Sequence, residues 1–472
     1  MKGAYFSERR NGWILWISIT AILLVGIGIF FYYIFLRQSK SELIEAVPTD
    51  AIFLFEVNDN NDFANKVSTV QPIFNEAFVM DALPAFETVY HKLPKGAYDI
   101  TLSGHQDENG TYLLFNTRLE KAAFKKLLRA LSIDPANFTS FEQCKIYTYG
   151  TNYKSLKFVY VNHILTVSDN INLLKKAIIQ HTHPKNLFYN KDFKQLYELT
   201  QKNKKQNWVM LNNAAYYDYL GVFFNNEIFN SLKKVSSYNA WSAYQIKIAN
   251  GEIFLSGYIT ATSENLAQLK ALKSKDSHPE VHLPFNTLKY NKSELKNYTQ
   301  CAFTLVSDSI NRYDYLLILA DTTKRTFQPF GNLETAELYR STHPSGIYET
   351  GDSLIKNNLT SIPEKYHFFI ERGGAYLFAE NEEAISAYNK EIATNGYISD
   401  SRYYQFANYN ISSSNLNEFT FFNLQNGQTL QENLSPKGKS TLTAKRLGIF
   451  SMSYTGIAEP YIVASIYIHL AN

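Results

Sequence analysis

Ile164–Asn212 reads ILTVSDNINLLKKAI, then LFYNKDFKQL, then WVMLN. The pattern returns without a gap 211 positions later as AYLFAENEEAISAY, ISDSRYYQFA and FTFFN, within Ala375–Asn423. Few residues are shared, although Asn170 matches Asn381 and Asn212 matches Asn423. What repeats is an order: apolar strand, acidic-Asn turn, amphipathic helix, polar loop, short helix, apolar strand. Leu173, Leu174 and Ala177 have the spacing of one helix face, as do Ala384, Ile385 and Tyr388. A period this long describes a duplicated domain and not a solenoid.

Working outward, three hairpins flank the two cassettes. Ala97–Thr117 turns at Asn109-Gly110, Ser242–Thr260 turns at Asn250-Gly251, and Phe450–Leu470 closes the chain. Asn-Gly between alternating apolar runs is a hairpin signal. Leu119–Leu131 reads as a helix, as does AAYYDYLGVFFNNEIFNSLKKV (Ala214–Val235). VPTD (Val47–Asp50) opens a strand, AIFLFEVND, which the sequence pairs by pattern with QCAFTLVSD (Gln300–Asp308). Helices are expected after each, over Phe63–Phe78 and Tyr313–Leu319.

The expected architecture is therefore α+β. One N-terminal transmembrane helix precedes two related units of mainly antiparallel sheet, with helices packed on one face. The divisions are 1–12 as a cytoplasmic tail, 13–36 as the transmembrane helix and 37–46 as a linker. Residues 47–262 form the first unit, 263–296 a connecting helix and linker, and 297–472 the second unit.

Trp13–Leu36 has 24 residues and no charge, more than the ~20 that cross a bilayer core. Trp13 and Trp16 stand at one end, Tyr32 and Tyr33 at the other, where an aromatic belt lies. The run is too long for a cleaved leader, and RQSKSEL after it has no small-residue cleavage site. Lys2, Arg9 and Arg10 precede it; Arg37 and Lys40 follow. That excess favours a cytoplasmic N-terminus and a signal-anchored, single-pass protein whose large domain is periplasmic or otherwise extracytoplasmic. Beyond residue 37 the chain holds 42 basic and 42 acidic residues. Balanced charge argues against nucleic acid as a partner. The partners expected are the lipid bilayer, through 13–36, and another envelope component.

The strand start Val47-Pro48-x-Asp50-Ala51, the N-terminal anchor and the paired strand–helix units resemble a group of uncharacterised bacterial membrane-anchored envelope proteins. That resemblance implies an envelope location and a duplicated α+β exported domain, and it carries over no site residues.

Chemical motifs are sparse. Gly351-Asp352-Ser353-Leu354 looks like the nucleophile block of GDSL esterases, with Ser353 as nucleophile. That family places the block after its first strand and needs Asp-x-x-His near its end. His367 and His469 follow, and neither has Asp three residues before it. His278 and His282 stand at i, i+4 around Pro279, and His181 and His183 flank Thr182, each pair without a third ligand nearby. No Walker, G-x-S-x-G, H-E-x-x-H or C-x-x-C motif is present. No cofactor and no metal are expected. Cys144 and Cys301 could form a disulfide between the units; two separate buried thiols is the preferred reading. The chain is also rich in aromatics, with 34 Tyr and 33 Phe.

Three function classes follow. The leading one is a membrane-tethered, non-enzymatic envelope scaffold or accessory binding module. A glycan- or lipid-binding module using aromatics in a cleft between the units is the second. A GDSL-type hydrolase is the third.

Overall fold

The computed structural model describes residues 43–57, 83–94, 99–108, 110–150, 155–182, 186–202, 206–221, 241–249, 252–261, 266, 279–295, 298–306, 312–319, 327–402, 404–405, 418–423, 435–436 and 447–470. Nineteen strands and seven α-helices lie within them. Every strand pairing is antiparallel, and the pairings join all nineteen strands into one continuous ladder.

In the first half the strands are β1 (Phe53–Val57), β2 (Ile100–Asp107), β3 (Gly110–Arg118), β4 (Thr139–Phe141) and β5 (Cys144–Gly150). They continue with β6 (Ser155–Val161), β7 (Ile164–Ser168), β8 (Trp208–Asn212), β9 (Trp241–Ala249) and β10 (Glu252–Thr260). Their spatial order is β4-β5-β6-β7-β3-β2-β1-β8-β9-β10. In the second half the strands are β11 (Thr287–Leu295), β12 (Tyr298–Val306), β13 (Arg312–Leu319), β14 (Ile347–Glu349) and β15 (Phe368–Arg372). They end with β16 (Ala375–Ala379), β17 (Glu418–Asn423), β18 (Leu447–Ala458) and β19 (Tyr461–Leu470). Their order is β14-β15-β16-β13-β12-β11-β17-β18-β19. Apart from β4, the two orders match strand for strand. The halves meet where β10 pairs with β19, from Glu252↔His469 to Thr260↔Tyr461.

The cassettes found in the sequence hold equal rank. β7 and β16 are counterparts, as are β8 and β17. Helix α3 (Ile171–Thr182) follows β7, and helix α7 (Glu382–Asn395) follows β16. The shared asparagines have a physical job. Asn170 Oδ1 accepts the backbone N–H of Leu173, and Asn381 Oδ1 accepts that of Ala384. Each satisfies an orphan donor of the first helical turn. All five residues of β7 are buried, because this strand is covered on both faces.

The expectation of α+β with helices on one face is overturned. The described chain is mostly antiparallel sheet, and its few helices cover both faces. On one face of the first half, α1 (Leu83–Lys92) and α2 (Lys121–Ala130) bury Phe86, Val89, Phe124 and Leu127 against Phe53, Phe115, Leu165 and Val167. On the other face, α3 places Leu173, Leu174 and Ala177 on Leu114 and Val159. Beside it, α4 (Lys191–Gln201) packs Phe193 and Leu196 on Leu54, Trp208 and Met210. In the second half α7 covers Tyr315, Leu317 and Leu377, while α6 (Leu333–Thr342) covers Leu316, Ile318, Phe369 and Phe378 from the opposite side. A fifth first-half helix, α5 (Asn213–Gly221), begins the expected Ala214–Val235 helix; residues beyond 221 are outside the described set.

Three further corrections follow from the pairing. Tyr313–Leu319 is strand β13 and not a helix, held between β12 and β16. β1 corresponds to β11, since both lie between a hairpin strand and β8 or β17; β12 corresponds to β2. Residues 263–296 are therefore no plain linker, because they contain β11. The expected transmembrane helix Trp13–Leu36 and the helix Phe63–Phe78 lie outside the described residues. Among the described residues, no helix is long and apolar enough to cross a membrane.

Candidate functional site

Strand β2, ITLSGHQD, alternates. Ile100 and Leu102 belong to one face, Thr101, Ser103 and His105 to the other. By itself that pattern reads as a strand with one wet face. In the fold the polar face is covered by the 3₁₀ turn Leu43–Ala46, which α3 backs, and Thr101, Ser103 and His105 are all buried.

Burial forces these side chains to find partners. Ser103 Oγ and His105 Nε2 are 2.9 Å apart, and His105 Nδ1 is 2.9 Å from Asp50 Oδ1. Asp50 Oδ2 accepts from Lys176 Nζ of α3 at 2.6 Å. Asp50 is placed by the turn at Pro48, where the N–H of Ala51 donates to the Pro48 carbonyl. Gly104, between Ser103 and His105, faces the other side of the sheet, where a Cβ would stand 2.1 Å from the Phe53 ring.

Electrostatics fix the protons. Burial pushes the Asp50 carboxyl up, but hydrogen bonds from His105 and Lys176 and the positive charge of Lys176 outweigh it and hold the group well below the usual carboxylate range. Burial pushes His105 below its usual value, against the pull of Asp50. A neutral His105 beside an ionised Asp50 must carry its proton on Nδ1. Nε2 is then an acceptor, and Ser103 Oγ–H donates to it. The line reads hydroxyl, neutral imidazole, carboxylate, with the order of a nucleophilic relay. One end is wet: the Asp50 and Lys176 side chains are 43% and 54% exposed, so that ion pair adds little stability.

The next row of the same face is unsatisfied. Thr101 faces Asn116 on β3, and Asn116 faces Thr166 on β7. Asn116 and Thr166 are wholly buried. Among the described residues, neither Oδ1 nor Nδ2 of Asn116, nor Oγ1 of Thr166, has a hydrogen-bond partner.

None of these residues was singled out as a site from the sequence, though Asp50 sits in the strand-start motif. The only available signal was the polar alternation of Thr101, Ser103 and His105. The candidates that were singled out fall elsewhere. Ser353 is exposed in a turn after β14. Its neighbour Asp352 accepts the N–H of Leu354, which holds that carboxyl below its usual value. No hydrogen bond joins Ser353 to a His or Asp among the described residues. Cys144 and Cys301 are both free thiols. Cys144 is half-buried; Cys301 is buried in β12, and burial pushes its thiol up to about 12. His282 is half-buried and His181 ends α3, while His278 and His183 lie outside the described residues. No cluster of three or more His, Cys, Asp or Glu forms a metal cage among the described residues. The largest fully buried side chains include Trp241, Tyr244, Tyr290, Tyr315 and Tyr388, so these aromatics fill cores and not a cleft.

No protein-family description matches this chain, and no curated protein does. Among solved structures, crystal form I of TP0453 is similar over 51% of this chain and 90% of its own, at 8% identity and a TM-score of 0.27. Crystal form IV covers 47% and 82%, at 11% identity and a TM-score of 0.27. Crystal form III covers 74% and 99%, at 8% identity and a TM-score of 0.22.

Proposed function

We propose that the protein is a scaffold or accessory protein of the cell envelope. It attaches to a membrane through the apolar run Trp13–Leu36 and presents its duplicated sheet to another envelope component on the extracytoplasmic side. The observation that carries this reading is the β10–β19 seam. Main-chain pairing there merges two ten- and nine-strand halves into one ladder. Such a seam suits a stiff platform better than two modules closing on a ligand. The uncharged run and the basic residues before it support the attachment and its direction. Balanced charge in the rest of the chain suits a protein partner better than an anionic polymer.

The contact surface is assigned to the far end of the second half. Leu333 and Leu338 of α6, and Leu354 after β14, are 73%, 56% and 61% exposed. Large apolar side chains this exposed near a sheet edge mark an interaction surface. Photo-crosslinking residues placed at 333, 338 and 354 in the full chain should trap one envelope protein, and the same residue at Lys125 of α2 should not. Equal trapping at all four positions, or at none, would overturn the reading. Protease added outside the cytoplasmic membrane should digest the large domain; full protection in spheroplasts would reverse the orientation. A chain lacking residues 1–42 should leave the membrane fraction.

A further inference from the structure

The duplication supplies an internal control for the Ser103–His105–Asp50 line. The pairing of β3 with β7 and of β13 with β16 makes Leu114 equivalent to Tyr315 and Ser168 to Ala379. Following the register outward, Ser103 corresponds to Phe303, His105 to Leu305 and Thr101 to Cys301. Asn116 likewise corresponds to Leu317, and Thr166 to Leu377. All ten are buried. The same fold positions are thus served in the second half by side chains without strong polar groups. There, Phe303 stacks on Tyr315 with ring centroids 4.8 Å apart.

Burying hydroxyls, an amide and an imidazole costs free energy that the second half avoids. The fold does not require that polarity, so it is there for something else. Asn116 makes the same point: a wholly buried amide with both ends unpaired is a rare state, and it marks a place where another polar group belongs.

We propose that Ser103 is the nucleophile of an acyl-transfer site in the first half, with His105 as its general base, Asp50 as the residue that orients His105, and an ester as substrate. Ser103 Oγ forms a bond to the ester carbonyl carbon and passes its proton to His105 Nε2. The bond from that carbon to the alcohol oxygen breaks, and the alcohol leaves with the proton. Water then attacks the acyl-serine, again losing a proton to Nε2, and an acid and free Ser103 result. Asn116 is the diagonal neighbour of Ser103 on the same face, about 7 Å away between Cβ atoms. One carbonyl group fits across that interval, and the unpaired Nδ2 donates to its oxygen as negative charge develops. Ser103 has no exposed surface, so the substrate enters by displacing the single turn Leu43–Ala46, which packs on β2, β3, β7 and α3. Leu43, Ile44 and Ala46 are its buried, apolar side, and a detergent or lipid surface favours that displacement.

This goes beyond the scaffold reading and does not depend on it. The test is covalent labelling of the full chain in detergent micelles with an alkyl fluorophosphonate. The Ser103 oxygen–phosphorus bond forms, the phosphorus–fluorine bond breaks, and fluoride leaves with the proton taken by His105. Mass spectrometry should place the adduct on Ser103. It should vanish in Ser103→Ala, slow at least about 100-fold in His105→Gln, and persist in Ser353→Ala. Labelling should also weaken as acid protonates His105. If His105→Gln fails to fold, Asp50→Asn takes its place at the exposed end of the line and should slow labelling while the melting temperature holds. A folded chain with Ser103 unlabelled, or labelled at the same rate in the His105 and Asp50 variants, overturns the proposal. Crosslinking at 333, 338 and 354 would be unaffected by either result.

Discussion

Asn170 and Asn381 show what a single residue contributes. Each side chain caps the first turn of its helix, so identity survived there while the apolar neighbours drifted. Leu174 is wholly buried on the inner face of α3. Leu174→Asp should lower stability by about 3 kcal/mol or more, measured by denaturant unfolding, since an unpaired carboxylate cannot be solvated there. Asn172→Asp, exposed in the first turn, should be nearly silent, because negative charge suits a helix start. His181 gives a pH dependence. Burial pushes it down to about 4, and its Nε2 has no partner among the described residues. Below its ordinary value near 6.5 the unfolded chain binds a proton that the folded chain refuses, so stability falls as pH drops from about 6.5 to about 4. The melting temperature should decline across that window, and His181→Leu should flatten the decline. A steeper slope in that variant would contradict the assignment.

At the scale of elements, periodicity was readable where one face was wet and misleading where neither was. The three hairpins were legible because alternation and, in two of them, an Asn-Gly dipeptide are local signals. β13, RYDYLLIL, was not. Its last five residues are all buried, and a doubly covered strand shows the same apolar run as a buried helix. β2 is the opposite case: its polar alternation is the pattern of a solvated face, yet that face is covered, so nothing local marks Ser103 and His105 as buried. Close strand packing gives a test at Gly257. A Cβ there would lie 1.9 Å from the Ala243 carbonyl oxygen and 2.7 Å from Tyr244 Cα. Gly257→Ala should therefore push β9 and β10 apart and cost roughly 3 kcal/mol or more. Gly150→Ala, with nothing within 4 Å of the new Cβ, should change stability by less than about 1 kcal/mol. Thermal melts of the two variants decide it.

For the whole molecule, the β10–β19 seam determines cooperativity. Ala464 pairs with both Gly257 and Tyr454 and is wholly buried. Ala464→Pro removes a ladder hydrogen bond in a central strand. The full chain should melt in one calorimetric transition, and this variant in two, as the halves uncouple. Two transitions in the unaltered chain would mean that the seam does not transmit stability.

The sequence alone determined that a unit is duplicated, where the equivalent cassettes lie and where the hairpins turn. These are local patterns, set by side-chain period, caps and turn chemistry. It could not place the second unit's first strand, since LKYNKSEL in β11 shares no pattern with FLFEV in β1; only pairing partners identify them. Nor could it give the helices their faces, since amphipathicity says that a stripe is buried and not which side of a sheet buries it. The Ser103–His105–Asp50 line is the clearest case. Its first two members are neighbours in sequence, but Asp50 lies 55 residues from His105 and Lys176 lies 126 from Asp50. Antiparallel pairing of β1 with β2, and Lys176 reaching Asp50 from α3, bring the four together, because register and packing join residues that no local pattern connects.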